Sequence, residues 1–286
     1  MLKLFHYFKL ARLHKPLPIL LIYLPCLWGI ALCSPPYVHF IKWGVLFAFG
    51  ALCMRSAGCI FNDLCDITID QKVARTKERP LAAGALSKKE ALIPFIFFLS
   101  GGLGVFFFLN TAAKIISLVG LALLFLYPFT KRFFVFPQLI LGFAFNIGAL
   151  VAVAQLQPFL LLKPQPWILY GIGIFWTLYY DTIYAVQDLK EDLLIGVHST
   201  AVFFRHHLRY ALAGFYLVMN MLMAFLGVYL GADIWFYGTL VFGIIFDIFK
   251  DIRRFDASNT REAERLFHHA IVIGIAIFIL ILFPEG

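Results

Sequence analysis

The sequence predicts an all-α membrane protein, a bundle of about nine transmembrane helices around a central cavity. Three observations lead to this fold class. Of the 286 residues, 62% are hydrophobic and only 14% are charged, whereas soluble domains usually carry about 25% charged residues. The mean hydropathy is +0.87. Long runs without Asp, Glu, Lys or Arg recur along the chain, and a spanning helix needs about 20 such residues. The composition therefore excludes a disordered chain, a fibrous protein and an ordinary soluble enzyme.

Uncharged runs define nine candidate spans. Eight contain no charged residue, and the span over 42–61 contains only Arg55. The run over 234–246 is too short to cross a bilayer alone, so we expect its helix to include flanking residues. In chain order the spans are 16–41, 42–61, 91–113, 115–130, 133–162, 164–180, 210–232, 234–246 and 266–284. Little of the chain remains for a soluble domain, and we expect residues 1–286 to form one transmembrane domain.

Lys and Arg are distributed unevenly between the loops. Twenty of the 24 lie at the N-terminus or in loops on the same side of the predicted membrane, and three (Lys42, Lys114 and Lys163) lie on the other side. Because cytoplasmic loops carry an excess of Lys and Arg, we expect the N-terminus in the cytoplasm and the C-terminus outside. The net charge of +8 reflects this topology, and we expect no nucleic-acid partner. The five cysteines form no CxxC pair, so neither a disulfide framework nor a zinc site is expected.

Acidic residues gather at two places, each where a span reaches the cytoplasmic face. The first acidic motif covers 62–70 and the second covers 188–192. Their polar residues recur every four positions, which on a regular helix places them along one stripe. Carboxylates on one stripe repel each other, and a divalent cation offsets that repulsion. Mg²⁺ prefers oxygen ligands and is often shared between carboxylates and substrate phosphates.

Basic residues lie beside both motifs, at Arg75, Arg79, Lys131 and Arg132. Arginine offers a planar fork that matches phosphate oxygens. The carboxylates are suited to bind a metal ion, and the neighbouring basic side chains are suited to bind an oxyanion. This combination predicts a diphosphate site. For one cluster alone, a solvated loop that anchors helices against anionic lipid explains the residues as well as a diphosphate site does. Two clusters on one face favour the diphosphate site.

These motifs resemble those of a known family, the UbiA family of membrane aromatic prenyltransferases. Its first signature is similar to the run Arg55-Ser-Ala-Gly-Cys…Asn62-Asp63-x-x-Asp66-x-x-x-Asp70…Arg75-Thr-x-x-Arg79-Pro-Leu-Ala-x-Gly84. Its second is similar to Tyr180-Asp-Thr-x-Tyr-Ala…Asp188-x-x-x-Asp192…Ile195-Gly-Val-x-Ser199-Thr-Ala. The resemblance covers nearly the whole chain.

The resemblance implies an enzyme of ubiquinone biosynthesis that works inside the inner membrane of a bacterium. The implied reaction moves a polyprenyl group from polyprenyl diphosphate to the ring carbon ortho to the hydroxyl of 4-hydroxybenzoate, and releases diphosphate. It requires Mg²⁺. The implied partners are these two substrates and membrane lipid, while the oligomeric state stays open.

The motifs and the resemblance together assign roles to individual residues. The predicted metal-site residues are Asn62, Asp63, Asp66, Asp70, Asp188 and Asp192, with Asp63 and Asp70 either ligands or supports of the ligands. The predicted catalytic residues are Asp66, Asp188, Asp192 and Asp181. The predicted substrate-binding residues are Arg55, Arg75, Arg79, Lys131 and Arg132.

Two charges lie deeper in the spans than the acidic motifs. Arg55 precedes Asn62 by seven residues, and Asp181 precedes Asp188 by seven. On a regular helix, seven residues are about 20° short of two turns and about 10 Å of rise. Two interpretations stay open: the two charges pair with each other, or Arg55 binds the acceptor's carboxylate while Asp181 orients its phenol or takes its proton.

Three other functional classes compete with this interpretation. A transporter or channel also carries polar residues in its spans, but its charges should extend through the membrane depth, whereas these crowd one face. Another branch of the family, such as haem farnesylation or a different quinone, is an alternative that the Tyr180-Asp-Thr-x-Tyr-Ala segment disfavours. A scaffold that has lost catalysis is disfavoured by the intact acidic motifs. His268 and His269 are interpreted as interfacial helix residues, because no third ligand lies near them in sequence.

Overall fold

The regular secondary structure of the protein is helical wherever the structure describes it. The computed structural model describes residues 2–285. Within that range it contains thirteen α-helices and no strand. The α-helices are α1 (Leu2–Leu10), α2 (Leu20–Cys33), α3 (Tyr37–Cys65), α4 (Ile67–Asp70), α5 (Lys88–Phe107), α6 (Thr111–Thr130), α7 (Pro137–Leu156), α8 (Pro164–Ala185), α9 (Leu189–Ile195), α10 (Thr200–Phe203), α11 (Leu208–Leu230), α12 (Ile234–Asp247) and α13 (Thr260–Leu282). Short 3₁₀ turns cover Leu17–Ile19, Pro158–Leu162 and Val186–Asp188, and a π-helical turn covers Ile248–Ile252.

Six helices are long and apolar enough to cross a bilayer: α3, α5, α6, α7, α11 and α13. Their outer surfaces are also apolar, since side chains such as Phe97 (70% exposed) and Phe107 (68% exposed) point away from the protein. Such surfaces are stable in lipid and not in water. The chain is therefore an integral membrane protein built as an all-helical bundle.

The turn between the first two predicted spans lies earlier than the sequence indicated. Helix α2 ends at Cys33, and Ser34 adopts a left-handed conformation with φ of 42°. Two prolines follow, and α3 begins at Tyr37, so Lys42 lies inside α3. The expected boundary between 41 and 42 was wrong because a charge marks where a helix meets water, whereas Ser-Pro-Pro marks where the chain turns.

Close packing holds the helices at short distances. A methyl group on Gly29 of α2 would lie 2.3 Å from the Ala149 carbonyl oxygen of α7. The indole nitrogens of Trp28 and Trp176 donate to backbone carbonyls of α13, each at 2.9 Å. These contacts tie α2, α7, α8 and α13 into one body.

Among the described residues, buried side chains form three cores. The largest includes residues of α2, α8, α11, α12 and α13. A smaller one joins α1, α3 and α5, and another of the same size joins α2, α3, α6 and α7. Helix α7 also packs against α8. The loop after α4, which follows the C-terminal end of α3, reaches the C-terminal end of α8, where Arg75 binds Asp188.

Candidate active site

The first acidic motif lies where α3 ends. The last residue of α3 is Cys65, and Asp66 leaves helical geometry with φ of −103° before α4 begins at Ile67. The expected single stripe from Asn62 through Asp70 is therefore wrong, because the helix breaks at Asp66. Even so, the Asp63, Asp66 and Asp70 residues are all buried, each at most 6% exposed.

The second motif also follows a break. Helix α8 ends at Ala185, a 3₁₀ turn covers Val186–Asp188, and α9 begins at Leu189. The tighter turn changes both the rotation and the rise between Asp181 and Asp188. The angle and rise expected for seven residues of a regular helix therefore do not apply to this pair. Asp188 and Asp192 remain one helical turn apart at the start of α9.

Two arginines hold Asp63. Nη2 of Arg12 lies 2.9 Å from both carboxylate oxygens of Asp63. Nη1 of Arg79 lies 3.0 Å from Asp63 Oδ1 and 2.8 Å from Asp70 Oδ2. Burial alone would lower the pKa of Arg79, but the carboxylates of Asp63 and Asp70 outweigh it and raise that pKa above its ordinary value. In this arrangement Asp63 and Asp70 support the loop that follows α4. The sequence motifs did not single out Arg12 as a site residue.

Lys131 reaches the first motif from the end of α6. Its Nζ lies 3.0 Å from Asp66 Oδ2 and 3.3 Å from Asn62 Oδ1, and 5.2 Å from the centre of the Tyr127 ring. Burial disfavours the ammonium charge, but Tyr127 and Asp66 more than compensate and raise the pKa of Lys131 above its ordinary value. The lysine therefore stays charged at neutral pH.

The other oxygen of Asp66 has no partner. Oδ1 is buried and accepts no hydrogen bond from the described part of the chain. A buried, unsatisfied acceptor costs about 1–3 kcal/mol, and more when it is charged. The orphaned oxygen, together with the amide oxygen of Asn62, is a donor set that suits a hard divalent cation.

Arg75 connects the two motifs. Its Nε lies 2.8 Å from Asp188 Oδ1, and its Nη2 donates to the other oxygen of the same carboxylate. Its Nη1 donates to the Tyr184 hydroxyl at 2.6 Å, and the guanidinium lies 4.8 Å from the centre of that ring. A residue of the loop after the first motif therefore binds the second motif, 113 residues away in sequence.

Asp192 is half-buried and has no ion-pair partner among residues 2–285. Burial and the neighbouring Asp188 carboxylate raise the pKa of Asp192 to about 7. Two carboxylates this close favour a bound cation, which removes both penalties.

The three other predicted site residues, Arg132, Arg55 and Asp181, each contact a different partner. Arg132 donates to the backbone carbonyl of Cys65 at 2.9 Å, where it caps the end of α3. Arg55 donates to Cys59 Sγ, one turn along the same helix, at 2.9 Å. Asp181 lies beside Gln138, a residue that the sequence did not indicate. Within the described chain, Arg55 and Asp181 form no ion pair.

The chain is similar to known proteins over most of its length. A family model described as UbiA prenyltransferase family matches residues 22–280. A relative from Francisella tularensis subsp. novicida (strain U112), named 4-hydroxybenzoate octaprenyltransferase, is 42% identical over 277 residues, which cover 96% of this chain and 95% of that protein.

Two solved structures share the fold. The apo structure of a UbiA homolog from Aeropyrum pernix K1 has a TM-score of 0.76 at 23% identity and covers 91% of this chain and 97% of the other. A UbiA homolog from Archaeoglobus fulgidus bound to GPP and Mg²⁺ has a TM-score of 0.71 at 19% identity, with coverage of 97% and 99%. Together with the family model, these matches confirm the resemblance seen in the motifs, and the chain belongs to the UbiA prenyltransferase family.

Proposed function

We propose that this chain transfers a polyprenyl group from polyprenyl diphosphate to the ring carbon ortho to the hydroxyl of 4-hydroxybenzoate, inside the membrane, with release of diphosphate. One observation supports this most: Arg75, in the loop that follows the first acidic motif, binds the Asp188 carboxylate of the second motif, so the segments after α3 and α8 meet. The name of the Francisella relative supports 4-hydroxybenzoate as the acceptor.

We propose Mg²⁺ as the cofactor, held by Asn62, Asp66, Asp188 and Asp192. The orphaned Oδ1 of Asp66 and the half-buried carboxylate of Asp192 support this choice, as does the Mg²⁺ bound with GPP in the Archaeoglobus homolog. When bound, the metal supplies positive charge that stabilises the departing diphosphate. Asp63 binds both Arg12 and Arg79, and Asp70 binds Arg79. We propose that these two aspartates support the metal ligands.

The basic side chains bind the diphosphate in this proposal. Two guanidinium nitrogens of Arg75 donate to the two carboxylate oxygens of Asp188. A phosphate group offers a similar pair of acceptor oxygens. Substrate binding then exchanges Asp188 for phosphate oxygens at Arg75. Lys131 needs only a small movement from Asp66 to reach the same anion, and Arg79 adds positive charge behind it.

The acceptor lies deeper in the bundle, at Arg55 and Asp181. Arg55 has no carboxylate partner within the described chain, so its guanidinium is available to bind the carboxylate of 4-hydroxybenzoate. Asp181 holds the phenol and takes its proton as the ring carbon attacks the allylic carbon and the bond to diphosphate breaks. The hydrogen of that ring carbon then moves to the oxygen, which restores the aromatic phenol. Tyr184, whose ring already lies over the Arg75 guanidinium, stabilises the cation-like carbon by the same type of contact.

We also propose nine spans around a central cavity, formed by the six long apolar helices together with α2, α8 and α12. Helix α8 has 22 residues, about 33 Å of rise, which exceeds the hydrocarbon thickness of about 30 Å. Helix α12 gains length from the π-helical turn that follows it. Residues 1–286 then form one domain in the inner membrane of a bacterium, with the prenyl tail in an apolar channel open to lipid.

A direct assay tests the function. The purified full-length chain is incubated in lipid with Mg²⁺, labelled 4-hydroxybenzoate and a polyprenyl diphosphate, and labelled prenylated product is measured. We expect product, its loss with a chelator, and its return with added Mg²⁺. Labelled haem serves as the rival acceptor: prenylation of haem with none of 4-hydroxybenzoate would overturn the proposal.

A further inference from the structure

A second group of ionisable side chains lies outside the proposed active site. It joins Asp247 at the end of α12, Asp251 in the π-helical turn and His269 in α13. Both carboxylates are buried, with side chains 7% and 2% exposed, and the imidazole is 25% exposed. The sequence interpretation of His269 as an interfacial residue without ligands nearby missed this group, because its members lie 18 and 22 residues apart along the chain.

Each carboxylate in the group has an outer and an inner oxygen. The outer oxygen of Asp247 accepts the hydroxyl hydrogen of Tyr216, and the outer oxygen of Asp251 accepts from Arg265 Nη2 at 2.9 Å. The inner oxygens both face His269: Nε2 lies 2.9 Å from Asp247 Oδ1 and 3.8 Å from Asp251 Oδ2. This is how metal ligands are usually held, with an outer hydrogen bond that orients each ligand.

The three inner atoms have the spacing of a metal's ligand shell. All of them lie within 4.8 Å of one another. Ligands bound tetrahedrally to zinc at its usual bond lengths are about 3.3–3.6 Å apart. The two separations from His269 Nε2, 2.9 and 3.8 Å, lie on either side of that range, so a small cation fits once the ligand atoms shift toward that spacing.

A buried polar group beside the cluster has no partner. Tyr179 is completely buried, and its hydroxyl makes no hydrogen bond with any part of the described chain. Its ring lies 5.4 Å from the ring of Tyr216, whose hydroxyl donates to Asp247. An unsatisfied buried hydroxyl is unfavourable, and a water molecule on a metal ion held by the cluster would give it a partner.

We propose that Asp247, Asp251 and His269 form a second metal site that binds a divalent transition metal ion such as Zn²⁺. The site is independent of the proposed Mg²⁺ site and shares no residue with it. An imidazole nitrogen among the ligands favours zinc and its neighbours over Mg²⁺, which takes oxygen ligands. The ion ties α12 to α13, whose Phe267 packs against Tyr184 of the active site at 5.0 Å.

A proton on His269 is the competing way to balance the cluster. With a neutral imidazole, two carboxylates and Arg265 leave one net negative charge in a largely buried place. A proton at Nε2 brings the cluster to neutral and a divalent metal ion brings it to +1, so either one removes the net negative charge, and the two exclude each other. The experiment therefore has to separate metal binding from protonation.

The test compares His269→Gln with His268→Gln, an exposed histidine on the same helix. The purified full-length proteins are equilibrated with micromolar Zn²⁺ in excess Mg²⁺, which occupies the other site, and bound zinc is measured by mass spectrometry. We expect wild type and His268→Gln to hold one equivalent more than His269→Gln. The midpoint of thermal unfolding should rise by several degrees with zinc in the first two proteins only.

A measurement on the wild type alone covers the case in which His269→Gln does not fold. Co²⁺ added in excess Mg²⁺ should give the visible absorption of a low-coordinate cobalt site, and Zn²⁺ should remove it. Equal zinc content and equal thermal shifts in all three proteins would overturn the proposal. So would an unfolding midpoint that responds to pH and not to zinc, because that outcome identifies the proton as the occupant.

Discussion

Asp66 differs from the other acids of the first motif in how its two oxygens are used. Asp63 and Asp70 are each engaged by arginine, whereas Asp66 gives one oxygen to Lys131 and buries the other without a partner. Oδ1 therefore remains available for a cation inside the protein. This difference supports Asp66 as a direct metal ligand.

Removal of a single carboxylate should stop the reaction. We expect Asp66→Ala or Asp188→Ala to lower the turnover number by at least about 10²–10³-fold, the usual effect of losing one group that stabilises transition-state charge. The measurement is prenyl transfer by purified protein, with the yield of folded protein in the membrane as a control for insertion. Glu264→Gln, at an exposed position, should leave turnover unchanged. Near-normal turnover in either alanine variant would exclude a site shared between the two motifs.

Arg55 should decide the affinity for the acceptor. Without its charge, Arg55→Ala should raise the apparent KM for 4-hydroxybenzoate by about 10- to 100-fold, as expected for a lost hydrogen bond between charged groups. The KM for the prenyl diphosphate should change little. Kinetics with a neutral phenol provide the control, because a phenol without the carboxylate should lose less affinity than the acid. Equal losses for both acceptors would make Arg55 a structural residue, and equal losses for both substrates would place it at the diphosphate.

The sequence predicted the acids and the bases of the site but not all of their pairings. The four-residue spacing of the polar residues around Asp66 and around Asp188 was enough to identify the two motifs. The contact between Arg12 and Asp63 was not predictable, because it depends on where α1 lies against α3. The neighbours of His269 were not predictable for the same reason, since Asp247 and Asp251 come from two other elements.

At the scale of single elements, the site depends on where helices stop. Both motifs were expected on regular helical stripes, yet α3 ends at Cys65 and α8 passes into a 3₁₀ turn at Val186. Hydrophobic periodicity reports which face of a helix is buried, but it does not locate a break inside a polar segment. Arg75, which lies beyond the first break, binds Asp188 at the second.

Helix α2 should tolerate no side chain at Gly29. Gly29→Ala places a methyl group against the backbone of Ala149, which cannot yield like a flexible side chain. We expect a loss of about 1–3 kcal/mol, typical of overpacking, and a lower midpoint of thermal unfolding followed by tryptophan fluorescence. Gly104→Ala in α5 is the control, since nothing lies within 4 Å of its added methyl group. The same midpoint in both variants would show that α2 and α7 are free to separate.

At the scale of the whole molecule, charge is segregated along the helices. Three of them, α3, α6 and α8, have a lysine at or near their first residue and the candidate site at their last. The lysines are Lys42, Lys114 and Lys163. Each helix is at least 20 residues long, about 30 Å of rise. The three lysines therefore lie about 24–35 Å along these helices from the ends that carry the candidate site.

This segregation should fix the orientation in the membrane. Twenty basic residues on one side against three on the other predict that the candidate site and Lys88, at the start of α5, face the cytoplasm. A reporter fused after Gly286, which lies outside the described residues, should then be external, and one inserted at Lys88 cytoplasmic. Paired reporters active only on opposite sides, such as alkaline phosphatase and green fluorescent protein, measure this at each position.

Reducing the charge bias should weaken the orientation. Replacing several N-terminal lysines and arginines by glutamine should produce a population with mixed orientation. Equal replacements of Asp or Glu should not, because acidic residues contribute little to the rule. Reporters that land on the same side in the unmodified chain would leave an even number of crossings between Lys88 and the C-terminus, and the nine-span arrangement would be wrong.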